Sequence, residues 1–294
     1  MSRSVTFVSA LAVAASLAAS PAYAQAERTI YASVLDKSGA PVPALTARDF
    51  IVREDGAPRE VLRASRAAEP LQIAVLVDTS QAIDPYVSDL RTGLRAFFDE
   101  MAGRHEIALI GFGERPTVLT DYTHDRTRLE QGIGRLFPRR GTGAYVLDAL
   151  VEASRVLRAR DGARSVIVVI TAEGPEFSNR YHEAVLDEVG TNATLHSFVL
   201  SRRGASRLDD AAQQRELTLA KGSRDTGGRR EHLLTSMALG DRLRNLAIEL
   251  QNQYKVEYAR PASLIPPETV EVDVKRPGLT VRAPRVPATV RTSS

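Results

Sequence analysis

Leu71-Gln72-Ile73-Ala74-Val75-Leu76-Val77 runs directly into Asp78-Thr79-Ser80, and the two halves of that stretch differ sharply in physical character. The first half is a run of aliphatic residues of the kind found in a strand buried on both faces, as in a parallel sheet covered by helices. The second half puts a carboxylate and two hydroxyls at the carboxyl end of that strand. In an open α/β sheet this is the edge where the loops diverge and ligands bind. Asp followed by small hydroxyl residues suits a hard cation such as Mg²⁺ or Ca²⁺, with an open position for a partner's acid group. Asp78 is equally suited to capping a turn or the following helix.

Outward from this stretch, strands and helices alternate. After Pro85, Val87, Leu90, Leu94, Phe97, Phe98 and Met101 fall at helical spacing, and 107–112 is a second buried strand. Leu129, Ile133 and Leu136 mark a short helix, and Val146, Leu150, Ala153 and Leu157 mark another. Residues 165–170 and 194–200 supply two more strands, and Leu243, Leu246, Ala247 and Leu250 a closing amphipathic helix. This order predicts an α/β fold with a doubly wound, mostly parallel, Rossmann-like sheet over residues 69–253. The polar stretch from Ser201 to Arg230 shows little periodicity and reads as a loop with a short helix, or as part of a partner surface.

The flanks have a different rhythm. Residues 29–34, 50–53, 254–258 and 269–274 alternate, Asp55-Gly56 and Pro277-Gly278 are turn signals, and Val61-Leu62-Arg63 reads as the strand returning from the first of them. Neither group is large enough to stand alone, so the N-terminal β segment, 25–68, and the C-terminal one, 254–284, are expected to pair into a small accessory sheet or sandwich.

Residues 1–24 read as a secretory signal peptide: Arg3, an apolar stretch from Val5 to Ala19, Pro21, and Ala22-Tyr23-Ala24 as the cleavage pattern. That apolar stretch is too short to span a bilayer, and no second one follows, so no membrane span is expected. The chain holds no Cys, which excludes disulfides and thiolate metal sites. A periplasmic or secreted location follows. The net charge of +3, without a basic stripe, argues against nucleic acid as a partner. The Pro- and Arg-rich tail, 285–294, is expected to be disordered.

Three loops are expected at the carboxyl edge of the sheet. The first offers Asp78 and Ser80, the second Thr142 between two glycines, and the third Thr171, Ala172 and Glu173. In this respect the chain resembles the von Willebrand factor type A (VWA) domain. The metal-ion-dependent adhesion site of that family uses Asp-x-Ser-x-Ser on the first loop, a Thr on the second and an Asp on the third. The resemblance maps Asp78, Ser80 and Thr142 onto matching positions. It departs at Ala82, where a second Ser is expected, and at Thr171-Ala172-Glu173-Gly174, where the family has Thr-Asp-Gly. Glu173 stands one residue late, with an extra methylene with which to reach in. The opening, from Val34 through Leu45-Thr46 and Asp49-Phe50 to Pro58, and the ending, Gln253 to Val281, are similar to bacterial exported "VWFA-related" proteins of the Acidobacterial type.

The resemblance implies an exported protein–protein interaction or adhesion module with a degenerate metal site. An unknown protein ligand would complete the shell of Mg²⁺ or Ca²⁺ with an acidic side chain. A metal-independent envelope scaffold is the alternative. Catalysis is not expected: G-x-S-x-G and H-E-x-x-H are both missing, and the five His show no ligand spacing. A hydrolase would have to draw on the loop acids Asp78, Glu173 and Glu176.

Overall fold

The computed structural model describes residues 25–285 except 161, 163, 191–192, 202–208 and 263. The expected signal peptide, most of the tail and part of the polar stretch after Ser201 lie outside the described residues. The chain opens with β1 (Gln25–Leu35), β2 (Phe50–Glu54), β3 (Ala57–Arg59) and β4 (Val61–Arg66). The α/β part follows with β5 (Gln72–Val77), α1 (Val87–Met101), β6 (Glu106–Gly111), β7 (Thr117–Thr123), α2 (Arg126–Gly134) and α3 (Val146–Arg160). It continues through β8 (Ser165–Ala172), α4 (His182–Val189), β9 (Thr194–Leu200), α5 (Asp210–Asp225), β10 (Arg230–Leu233) and α6 (Leu239–Gln251). β11 (Tyr254–Pro261), β12 (Val270–Val274) and β13 (Thr280–Arg282) close the chain.

Six strands form the central sheet in the order β10-β9-β8-β5-β6-β7, all parallel except the edge strand β7. The aliphatic runs are buried on both faces, as expected, because alternate residues feed two cores. Ile73, Val75 and Val77 of β5, with Val166, Val168 and Ile170 of β8, pack among side chains of α1, α2 and α6. Ala74, Leu76, Ile167 and Val169 pack against α3, α4 and α5 on the other side. This period of two sandwiches the sheet between helical layers.

The terminal strands form two antiparallel sheets, β13-β1-β11-β4 and β12-β2-β3. Ile30, Val34, Phe50, Val52, Tyr254, Val256 and Val270 share one core, with Phe50 and Tyr254 rings 5.4 Å apart. Asp55 (φ 48°) and Gly56 (φ 78°) turn β2 into β3, the left-handed pair that a tight hairpin requires. The sequence suggested 61–63 as the returning strand. The return is instead β3, and β4 crosses to pair with β11 in the other sheet.

Three further differences share a cause. β7 was not expected, because an exposed antiparallel edge strand such as Thr117–Thr123 carries too few apolar residues to declare itself. β10 is only four residues long. The polar stretch before it contains a helix of 16 residues, α5, longer than its pattern suggested. The buried face of α5 consists of Ala212, Arg215, Thr218, Leu219, Gly222 and Ser223, which form no apolar stripe.

The sandwich sits at the amino edge of the central sheet, where β4 leads into β5 and α6 leads into β11. Buried Arg164 joins the two parts there. It donates to the carbonyls of Glu69 and Leu250 and to Gln253 Oε1, each at 2.8 Å, and its guanidinium lies 5.2 Å from the Tyr31 ring. Glu249 of α6 accepts from Arg229 at 2.7 Å and from Arg282 of β13 at 2.8 Å. No described helix is long and apolar enough to cross a membrane.

Candidate functional site

At the carboxyl edge the three expected loops meet. Asp78, fully buried, lies at the floor. Its Oδ1 accepts from the Ser80 amide at 2.7 Å, and its Oδ2 accepts from Thr171 Oγ1 at 2.9 Å and the Ala172 amide at 3.1 Å. Asp78 thus pins the first loop to the third. Ser80 caps the short 3₁₀ turn Gln81–Tyr86, its Oγ accepting from the Ala82 amide at 3.3 Å. Both halves of the Asp-x-Ser pattern therefore have local hydrogen-bonding duties.

The second loop is tied to both of the others. The Arg139 amide donates to the Thr79 carbonyl at 2.9 Å, and the Gly141 amide to Gln81 Oε1 at 2.8 Å. The Ala144 amide donates to the Pro175 carbonyl, and the Phe177 amide to the Ala144 carbonyl. The Thr142 hydroxyl itself donates to the Arg139 carbonyl at 2.8 Å, across its own turn. Glu173 is half-buried on the third loop, its amide donating to the Leu200 carbonyl at 3.0 Å.

Two glycines allow this convergence. A Cβ on Gly113 would come within 2.3 Å of the Thr79 carbonyl group, so only glycine lets the loop after β6 lie against the first loop. A Cβ on Gly174 would sit 2.6 Å from the Ala82 Cβ. Ala82 therefore packs on the third loop, and the two places where the sequence departs from the adhesion-site pattern lie against each other.

The sequence did not reveal what lies beneath the third loop. Glu176 is buried and caps α3, accepting from the Val146 amide at 3.1 Å and the Ser178 amide at 3.2 Å. Burial pushes its carboxyl up to about 7, against the lowering pull of Ser178 and Arg215. Arg215 reaches in from α5, 1% exposed, donates to the Gly174 carbonyl at 3.1 Å and stands 3.9 Å from Glu176. Glu176 is thus a buried capping group, near enough to Asp78 for that charge to act on it.

The donor set can be compared with what a hard cation needs. Mg²⁺ asks for about six oxygens in near-octahedral array, Ca²⁺ for more. Asp78, Ser80 and Thr142 contribute one carboxylate and two hydroxyls, and the Asp78 oxygens are already met by two amides and a hydroxyl. Among the described residues no group of three His, Cys, Asp or Glu side chains is placed to hold a metal. These three groups by themselves fill half of an octahedral shell, so an ion here would need water or a partner's oxygens for the rest.

Exposed apolar side chains crowd the same edge. Phe137, Phe177, Tyr181, Leu234 and Met237 are between 52% and 89% exposed. The Phe177 ring covers Gly143 and meets Tyr145 edge-on at 6.1 Å.

Residues 73–174 match the family model of the von Willebrand factor type A domain. No curated protein sequence matches the chain. Among solved structures, the chain is similar to a von Willebrand factor type A protein from Catenulispora acidiphila. The identity is 10%, the TM-score 0.52, and the match covers 90% of this chain and 74% of that one. It is also similar to BatB from Bacteroides thetaiotaomicron, at 15% identity and a TM-score of 0.48, covering 62% of this chain and 100% of that one. A third likeness is to the vWF domain of the type V pili tip protein Mfa5 from Porphyromonas gingivalis. There the identity is 12% and the TM-score 0.46, with 62% of this chain and 95% of that one covered.

Proposed function

This chain carries a von Willebrand factor type A domain, and on that premise we propose that it is an exported protein-docking module whose binding face is the carboxyl-edge rim, held in shape by its own hydrogen bonds and not by an ion. One observation carries this reading. Asp78, the anionic group a cation would need, has both oxygens engaged by Ser80, Thr171 and Ala172. Exposed aromatic side chains at the rim support docking, since aromatic residues are enriched at protein interfaces. Export rests on the sequence of residues 1–24.

A second reading keeps the ion. Asp78 and Ser80 share one buried floor, and the Asp78 charge is close enough to help raise Glu176. In that reading Asp78, Ser80 and Thr142, with Glu173 reaching in late, hold Mg²⁺ or Ca²⁺, and a partner's carboxylate completes the shell.

The test is a pull-down from envelope extract with wild type and a Phe177→Asp, Tyr181→Asp double variant, with and without chelator. The docking reading expects a partner that survives chelation and is lost with the double variant. Loss on chelation of wild type moves the assignment to the ion-dependent reading. A partner retained by the double variant removes these aromatics from the docking face.

A further inference from the structure

Beside the Asp78 floor, the loop leading into β7 faces the segment leading out of α2 across an open groove. Its volume is about 290 Å³, and its walls include Thr79, Arg115, Arg135, Phe137, Pro138 and Arg139. Three arginines stand here against one acid, Glu114. Arg139 pairs with Glu114 at 2.8 Å, with both side chains 55% exposed. Arg135 donates to the Leu119 carbonyl at 3.1 Å. The exposed Arg115 guanidinium has no partner among the described residues. Phe137 is 64% exposed, with the Arg91 guanidinium 5.3 Å from its ring.

We propose that this groove docks an acidic segment of a partner protein. An Asp or Glu side chain engages Arg115 and Arg139, and a neighbouring apolar side chain covers Phe137. The proposal rests on the reading of the rim as a docking face and adds the chemistry of what docks there. Three features select an acidic polypeptide. The excess of guanidinium calls for a carboxylate, which a planar fork binds well. The Glu114–Arg139 pair is an internal example of the contact, exposed enough to exchange for an incoming acid. The groove also opens onto β7, the last strand of the sheet, whose Thr117 and Leu119 line it and whose Val118 is 60% exposed. An extended segment can lie along such an edge, while a phosphate or a lipid headgroup gains nothing from it.

The experiment is fluorescence anisotropy on the full chain with a labelled hexapeptide of alternating aspartate and leucine. Its asparagine counterpart, inorganic phosphate and phosphatidylserine vesicles serve as parallel probes. The acidic peptide is expected to bind more tightly than its counterpart by at least about tenfold, and to weaken as salt rises. An Arg115→Ala, Arg139→Ala double variant should lose about tenfold with an unchanged melting temperature, and Glu114→Gln should tighten binding by releasing Arg139. Equal binding of the two peptides, or full retention by the double variant, would overturn the proposal. So would binding of phosphate or vesicles with no peptide binding. If the peptide fails while the Phe177 and Tyr181 variant still loses its pull-down partner, the groove assignment falls and the docking rim stands. Peptide binding with no effect of that variant gives the reverse.

Discussion

The two ends of the central sheet both contain buried charge, but they handle it differently. At the amino edge, Glu249 accepts from two guanidiniums at 2.7 and 2.8 Å, and Arg164 has three acceptors. Burial would push Glu249 up, yet Arg282, His196 and Arg229 together hold its carboxyl below the ordinary range. At the carboxyl edge, Arg215 stops 3.9 Å short of Glu176, and burial prevails there. Asp78 is met by neutral donors only. The amino edge is a closed lock between sheet and sandwich. The carboxyl edge is a set of loops pinned from beneath, with aromatic and arginine side chains left on top.

The largest expected effect breaks the lock. Glu249→Ala leaves Arg229 and Arg282 without their shared acid and should cost about 3–5 kcal/mol in denaturant unfolding. A loss below about 1 kcal/mol would mean that water replaces the acid and that the amino edge is no tighter than the rim. Gly113→Ala attacks the other pole. Its methyl would drive into the Thr79 backbone, with an expected cost of about 1–3 kcal/mol and loss of docking. Unchanged stability there would show that the first loop moves aside easily.

Titration distinguishes the poles by sign. His105 and His196, both at the amino edge, are lowered to about 4, chiefly by burial. Between pH 6.5 and 4 the unfolded chain binds protons there that the folded chain does not, so acidification destabilises. Glu176 is raised to about 7 from 4.5, so between those values the folded chain holds the extra proton and acidification stabilises. Melting scans from pH 8 to pH 5 should therefore show Glu176→Gln losing the gain, while His196→Gln reduces the acid loss, each on the order of 2 kcal/mol. Parallel curves for wild type and Glu176→Gln would contradict the raised carboxyl. The smallest expected effect is on stability at Arg115: Arg115→Ala should stay within about 0.5 kcal/mol of wild type, as an exposed side chain without a described partner should.

The same contrast explains what the sequence disclosed. β5, β6, β8 and β9 were legible because strands buried on both faces need unbroken aliphatic runs, and β1, β2, β11 and β12 because half-buried strands alternate. Asp78 and Ser80 were legible as loop residues, since a strand this apolar must end where they begin. Glu176 and Arg215 were not. Their roles depend on α5 folding back beneath the third loop, and α5 concealed itself by burying small and polar residues. The Ala82–Gly174 contact was equally invisible, since two separate departures from a ligand pattern gave no sign of lying against each other.

The central claim is that the rim stands without an ion, and thermal melting of wild type and Asp78→Ala, each in chelator and in millimolar Mg²⁺ or Ca²⁺, tests it most directly. Wild type should melt at the same temperature in all conditions. Asp78→Ala should lose about 2–4 kcal/mol, because the Ser80 and Ala172 amides and the Thr171 hydroxyl are left without their acceptor, and the loss should not depend on the metal. A rise in the wild-type midpoint with Mg²⁺ or Ca²⁺ that vanishes in Asp78→Ala would contradict the claim and make the rim an ion-binding site.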